Sequence, residues 1–158
     1  MRHPAIVFFQ TRSNDYVSLK GTAAEKVAAC MDYKKQMFAE IHKQLPVAKL
    51  VVMSGLLLPG RSKYRELTEE INRALAALCE KTDYLWFVDA SAMTWGGQGY
   101  ADELFIKDGI HLNHEGQLLW MRNYIRPVIE TLISEFDLTQ VQKAGWNAGD
   151  STENGAFI

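Results

Sequence analysis

Asp108 stands three residues before His111 in the stretch Asp-Gly-Ile-His-Leu-Asn, directly ahead of an apolar helical pattern. A carboxylate at that spacing can fix the tautomer of the imidazole and stabilise the imidazolium that forms when the ring takes a proton from a nucleophilic hydroxyl. Asp108 and His111 are thus candidates for two of the three parts of a Ser-His-Asp relay. The same quartet also describes an ordinary turn followed by a surface imidazole, so its meaning depends on what the remainder of the chain brings beside it.

The elements that must position the pair are legible from hydrophobic pattern. Ala5 to Phe9, Ala48 to Ser54 and Tyr84 to Val88 are short continuous apolar runs, the composition of strands covered on both faces. Between the first two, Thr22 caps a helix whose apolar stripe is Val27, Met31, Phe38, Ile41 and Leu45, and Pro46 blocks its continuation. Residues 63–81 form a second helix with Leu67, Ile71, Leu75 and Leu78 on one side and Glu69-Arg73 as an exposed i,i+4 pair. Asn113 caps a last helix reaching about Phe136, with Leu118, Met121, Ile125, Val128 and Leu132 inward and Pro127 kinking or dividing it. Strand and helix therefore alternate three times, which predicts an α/β fold, a three-strand parallel sheet between helical layers. Ligands of such sheets sit outside the carboxyl ends of the strands. Three polar segments leave from those ends: Arg12 to Asp15, Ser54 to Gly60, and Trp95 to His111. They are expected to meet in one cleft.

Composition narrows the functional classes. The chain has 158 residues, 47% hydrophobic and 23% charged, enough for one core, with a net charge of −2 whose signs are interspersed. No basic footprint for nucleic acid is present. No signal peptide and no membrane-spanning run is encoded, and the compartment is unknown. Cys30 and Cys79 fall inside helical patterns, as small buried apolar groups do. The glycine-rich stretch 96–99 lacks the Lys-Ser/Thr of a phosphate loop, which argues against a flavodoxin-like nucleotide binder. The domain is expected over residues 1–137, with a flexible polar tail at 138–158.

In order and spacing, these blocks resemble the SGNH hydrolases, also called GDSL esterases and lipases. The matching pieces are Arg12-Ser13-Asn14-Asp15 after the first strand, the second strand with its Leu-Leu-Pro loop, and Asp108 to Asn113 entering the last helix with Gly116, Trp120 and Ile125-Arg126-Pro127. The resemblance implies a three-layer, flavodoxin-like α/β/α fold and a serine esterase of acyl or acetyl esters. Asn14 then donates to the oxyanion hole, His111 is the base and Asp108 orients it. It implies no metal, no cofactor and a small ester as the substrate, while the balanced charge and the lack of a long apolar run point to neither a nucleic acid nor a membrane as partner.

Two departures qualify the expectation. The family opens on a strand carrying Gly-Asp-Ser, followed by a helix and a second strand with another oxyanion donor, and this chain starts after all of that. The nucleophile is thus unassigned. Ser13, Ser54 and Ser91 read as turn or cap residues, and Gly149-Asp150-Ser151 in the tail as a coincidence of letters. Arg12 also replaces a family glycine. On this reading the chain alone is inactive, the carboxyl-terminal part of an esterase whose serine lies upstream of Met1. The rival reading is a degenerate, non-catalytic remnant serving as a binding or assembly module. In either case the strand from Ile6 to Phe9 becomes a sheet edge, to be covered by the upstream portion, by the tail, or by self-association.

Overall fold

The computed structural model describes residues 4–10 and 13–135. Three parallel strands, β1 (Ile6–Gln10), β2 (Lys49–Met53) and β3 (Leu85–Val88), form one sheet in the order β1-β2-β3. Val7 pairs with Leu50, and Leu50 with Leu85. The central strand is covered from its second residue on: Leu50, Val51, Val52 and Met53 have no exposed surface. Burying side chains of this size stabilises by about 1.5–3 kcal/mol each.

Alternation along the strands sends two apolar sets to opposite faces. Leu50, Val52, Val7, Phe9, Leu85 and Phe87 pack under α2 (Ala23–Gln44) and α3 (Arg65–Cys79). Val51, Met53, Ile6, Phe8, Trp86 and Val88 pack under the carboxyl-terminal helix. Two successive right-handed crossovers in one direction place both connecting helices on the same side, which leaves the last helix to cover the other. The layers are therefore helix, sheet, helix, as expected.

Boundaries follow local chemistry. Thr22 and Glu25 form a reciprocal capping box at the start of α2. Its face is completed by Lys34, fully buried between Met31 and Phe38. The segment after β1, read from sequence as polar and without a helix, holds one helical turn, α1 (Asn14–Val17), because Tyr16 is drawn into the core. Its phenol meets Thr68 Oγ1 of α3 at 2.5 Å. Residues 59–64 form 3₁₀ turns instead of the first turn of α3. Glu69 pairs at 2.7 Å with Arg65, one turn earlier, and not with Arg73 as expected. Cys30 and Cys79 are free and buried, and burial pushes the Cys79 thiol up to about 11.

The last helix carries the main correction. It runs as α4 (His114–Trp120), a π turn at Met121–Ile125 and α5 (Arg126–Glu135), without a break at Pro127. A proline offers no N–H and its ring crowds the preceding turn; the widened π turn just before it accommodates both. The extra residue in that turn also shifts the inward stripe. Stepping back from Ile125 at the α period lands on Met121 and Leu118, yet Met121 is 48% exposed, and Leu119 and Trp120 pack on the core in their place. Ile125, Val128 and Leu132 face inward as expected, and Phe136 and the tail lie outside the described residues.

Candidate active site

His111 belongs to a tight hairpin. Ile106 N–H donates to the His111 carbonyl at 2.9 Å, and Gly109 N–H donates to the Ile106 carbonyl at 2.9 Å. Gly109 turns the chain at φ 64°, a left-handed value that glycine adopts without steric cost. The turn is pressed against the loop after β2: Gly60 N–H donates to the Gly109 carbonyl at 2.9 Å. A Cβ on Gly60 would lie 2.3 Å from the Asp108 carbonyl oxygen, and one on Gly109 would lie 2.7 Å from Gly60 N. Two glycines thus let two strand-end loops touch through their backbones.

On that hairpin Asp108 and His111 form the pair expected from sequence. Asp108 Oδ2 meets His111 Nδ1 at 2.6 Å, while Oδ1 accepts from the backbone N–H groups of Ile110 at 2.8 Å and His111 at 3.0 Å. The hydrogen bond from the His111 side chain, with those from the two backbone amides, brings the Asp108 carboxyl down to about 2. An ionised carboxylate only accepts, so Nδ1 carries the proton, and in the neutral ring Nε2 is left as the free acceptor. Asn113 anchors the exit by capping α4: its Oδ1 accepts from Gly116 N–H at 3.0 Å and its Nδ2 donates to the Glu103 carbonyl at 2.7 Å.

The Asp108 shift predicts a pH dependence. The folded value lies below the roughly 3.9 of an unfolded aspartate, so the stabilisation is complete above about pH 4 and is lost as pH falls through 2. A ¹³C titration should place the Asp108 midpoint near 2, and His111→Ala should return it toward the ordinary range. A midpoint near 4 in the unmutated chain would show that the bonds to the carboxylate do not hold in solution.

All three strand ends contribute to one cleft of about 330 Å³. Gln10, Ser13, Asn14 and Tyr16 come from the end of β1, Gly55, Leu56, Leu58 and Arg61 from the segment after β2, and Ile110, His111 and Leu112 from the hairpin. Gln117 and Trp120 of α4 close it. Asn14 and His111 therefore share a wall-to-wall space, as the strand-end argument requires. Asp108 stands behind His111 and is not part of the lining. Arg12 lies outside the described residues, as do residues 149–151.

The serines sort by environment. Ser54 has no exposed surface and its Oγ accepts from Ala90 N–H at 2.8 Å, a structural role. Ser91 starts a 3₁₀ turn away from the cleft lining. Ser13, buried and at the N-terminus of α1, is the serine that lines the cleft among the described residues. Among those residues no three His, Cys, Asp or Glu side chains group as ligands for a metal ion.

Several supporting residues are missed by the sequence reading. Asn72 of α3 accepts from Gly55 N–H at 2.8 Å and donates to the Gly55 carbonyl at 2.9 Å, both buried. Thr94 Oγ1, also buried, accepts from Leu57 N–H at 3.0 Å. Together they fix the backbone of the cleft floor. Lys34 Nζ meets Asp15 Oδ2 at 2.7 Å and thereby ties the residue after Asn14 to α2. Lys34 was detectable as the polar member of an otherwise apolar stripe, and Asn72 as an amide beside Ile71 on a buried face.

Comparison with solved structures places this fold. A protein from Streptococcus pneumonia described as a platelet activating factor superposes with a TM-score of 0.62 at 17% identity, over 80% of this chain and 59% of its own. A carbohydrate esterase family 3 protein from Talaromyces cellulolyticus gives 0.64 at 20% identity, over 85% and 61%. An acylhydrolase from Bacteroides fragilis gives 0.60 at 22% identity, over 82% and 63%. The chain thus spans about three fifths of the length of each. No protein-family model and no curated protein sequence matches it. At these identities the likeness establishes the fold alone, an α/β/α sandwich shared with these three proteins, and the resemblance read from sequence holds at the level of fold.

Proposed function

We propose that this chain provides the acid–base pair and one oxyanion donor of an SGNH-type ester hydrolase, whose nucleophilic serine comes from a segment outside it. The observation that carries the reading is the shared cleft: His111, its Nδ1 held by Asp108 at 2.6 Å, and Asn14 line one space at the carboxyl ends of the strands. In the reaction, His111 Nε2 takes the serine proton as Oγ bonds to the ester carbonyl carbon. Asn14 donates to the oxygen that gains the negative charge. Collapse breaks the carbon–oxygen bond, and the proton on Nε2 passes to the departing alcohol; water then repeats the sequence on the acyl-serine. The substrate is a small acyl or acetyl ester.

The open side of β1 supports the same reading. Among the described residues this strand pairs with β2 alone, and its outer edge suits another parallel strand, from the nucleophile segment or from a second copy. No helix among the described residues is long and apolar enough to cross a membrane.

The test uses p-nitrophenyl acetate. The chain alone is expected to give no turnover above that of free imidazole, since losing a triad nucleophile costs about 10⁶-fold in a serine protease. Fused behind a strand–helix–strand segment carrying Gly-Asp-Ser, it is expected to gain serine-dependent turnover. Strong turnover by the chain alone, abolished by Ser13→Ala, would overturn the assignment of the nucleophile. Turnover in the fusion that ignores His111 would overturn the assignment of the base.

A further inference from the structure

The cleft contains a cation with no counter-ion among the described residues. Arg61 is the one fully charged side chain among the described residues that line it, accompanied by the His111 imidazole, neutral amides, a serine, a tyrosine and apolar groups. Its Nε is buried and has no hydrogen-bond partner among the described residues. The acids that flank Asn14 and support His111, Asp15 and Asp108, are already engaged. Asp15 pairs with Lys34 at 2.7 Å, and Asp108 spends both oxygens on His111 and two backbone amides. Tyr16 supplies no negative charge, because burial raises its phenol above the usual range. At φ −130° and ψ 27°, Arg61 stands at the kink between two 3₁₀ turns, next to the Gly60–Gly109 contact that fixes the His111 hairpin.

A guanidinium held in a partly desolvated wall attracts an anion far more strongly than one in water, and its Nε edge offers two parallel N–H groups matched to a carboxylate. We infer that the cleft selects esters that carry a carboxylate, which pairs with Arg61 while the ester group lies between Asn14 and His111. One guanidinium balances a single negative charge, which favours a carboxylate over a phosphate dianion. This inference rests on the ester-hydrolase reading and narrows its substrate class.

Binding to the chain itself tests it without any need for turnover. Monomethyl succinate and methyl butyrate have nearly the same shape and differ in the terminal carboxylate. Titrated into ¹⁵N-labelled chain, both are expected to shift the amides of Asn14 and His111, with monomethyl succinate binding at least tenfold tighter. Arg61→Gln should bring the two to equal affinity, Arg61→Lys should restore part of the preference, and 0.5 M NaCl should weaken only the charged ester in the unmutated chain. The salt series keeps the test valid if the Gln variant fails to fold. Equal binding of the two esters overturns the carboxylate inference and leaves the ester reading standing. No shift with either overturns both. Displacement of monomethyl succinate by inorganic phosphate at a lower concentration overturns the choice of carboxylate.

Discussion

In the fusion that restores the nucleophile, His111→Ala is expected to lower kcat for p-nitrophenyl acetate by about 10⁶-fold, the loss seen when the base of a serine protease is removed. That factor is about 8 kcal/mol of transition-state stabilisation. It is large because base and nucleophile act as one unit: without Nε2 the hydroxyl keeps its proton, and the serine is no better than water. Asp108→Asn should cost about 10⁴-fold, since an amide that donates to Nδ1 selects the wrong tautomer and leaves Nε2 protonated. The geometry makes the comparison clean. The His111 side chain is 73% exposed and its backbone is held independently by Ile106, so its removal should leave the melting temperature nearly unchanged. KM should also change little, because the binding wall is made by Asn14, Leu56, Leu58 and Trp120. Steady-state kinetics with a thermal melt on each variant check this. A loss below tenfold in kcat, with the fold intact, would remove His111 from the chemistry.

The architecture was legible because both faces of the sheet are apolar, so each strand reads as an unbroken run, and because proline and capping residues mark the helix ends. The convergence of Asn14 and His111 was legible for a topological reason: in a parallel sheet every strand-end loop emerges on the same side. What escaped has physical causes. The π turn at Met121–Ile125 adds one residue to a helical period, and periodicity counted from one end cannot register an insertion in the middle. The single turn at Asn14–Val17 is too short to show a period, and one buried aromatic, Tyr16, holds it in place. Arg61 follows a Pro-Gly pair in what reads as an ordinary loop. A tertiary contact between Gly60 and Gly109, more than forty residues apart, brings that loop beside the hairpin. The pairing of Glu69 with Arg65 in place of Arg73 shows the same limit, because either arginine satisfies the i,i+4 rule and tertiary context decides between them.

The second large effect concerns the buried ion pair behind the cleft. Asp15→Ala is expected to destabilise the chain by about 3 kcal/mol, because it strands a charge in the core. The Lys34 side chain is 1% exposed, its Nζ lies 5.0 Å from the centre of the Phe9 ring, and Asp15 at 2.7 Å is its carboxylate partner. Asp15 itself keeps 36% of its side chain exposed, which places the cost toward the low end of the 3–5 kcal/mol typical of broken buried pairs. For a domain of this size the loss corresponds to a fall in melting temperature of about 6–12 °C. Replacing both partners separates charge burial from shape. Lys34→Met in the Asp15→Ala background removes the stranded ammonium while keeping an unbranched side chain in the same slot, and should recover most of the lost stability. Lys34→Met alone should cost less than Asp15→Ala alone, because the carboxylate it leaves behind can turn to water. The consequence reaches the cleft, since Asp15 follows Asn14 in a helix of a single turn whose other anchor is Tyr16. Loss of the pair should therefore also shift the Asn14 amide resonance, and the double variant should leave that shift in place while restoring the melt. Thermal denaturation of the four chains of the cycle, with ¹⁵N spectra of each, checks both parts. If Asp15→Ala melts within 1 °C of the unmutated chain, Lys34 has found solvent, and α1 is not held by this pair.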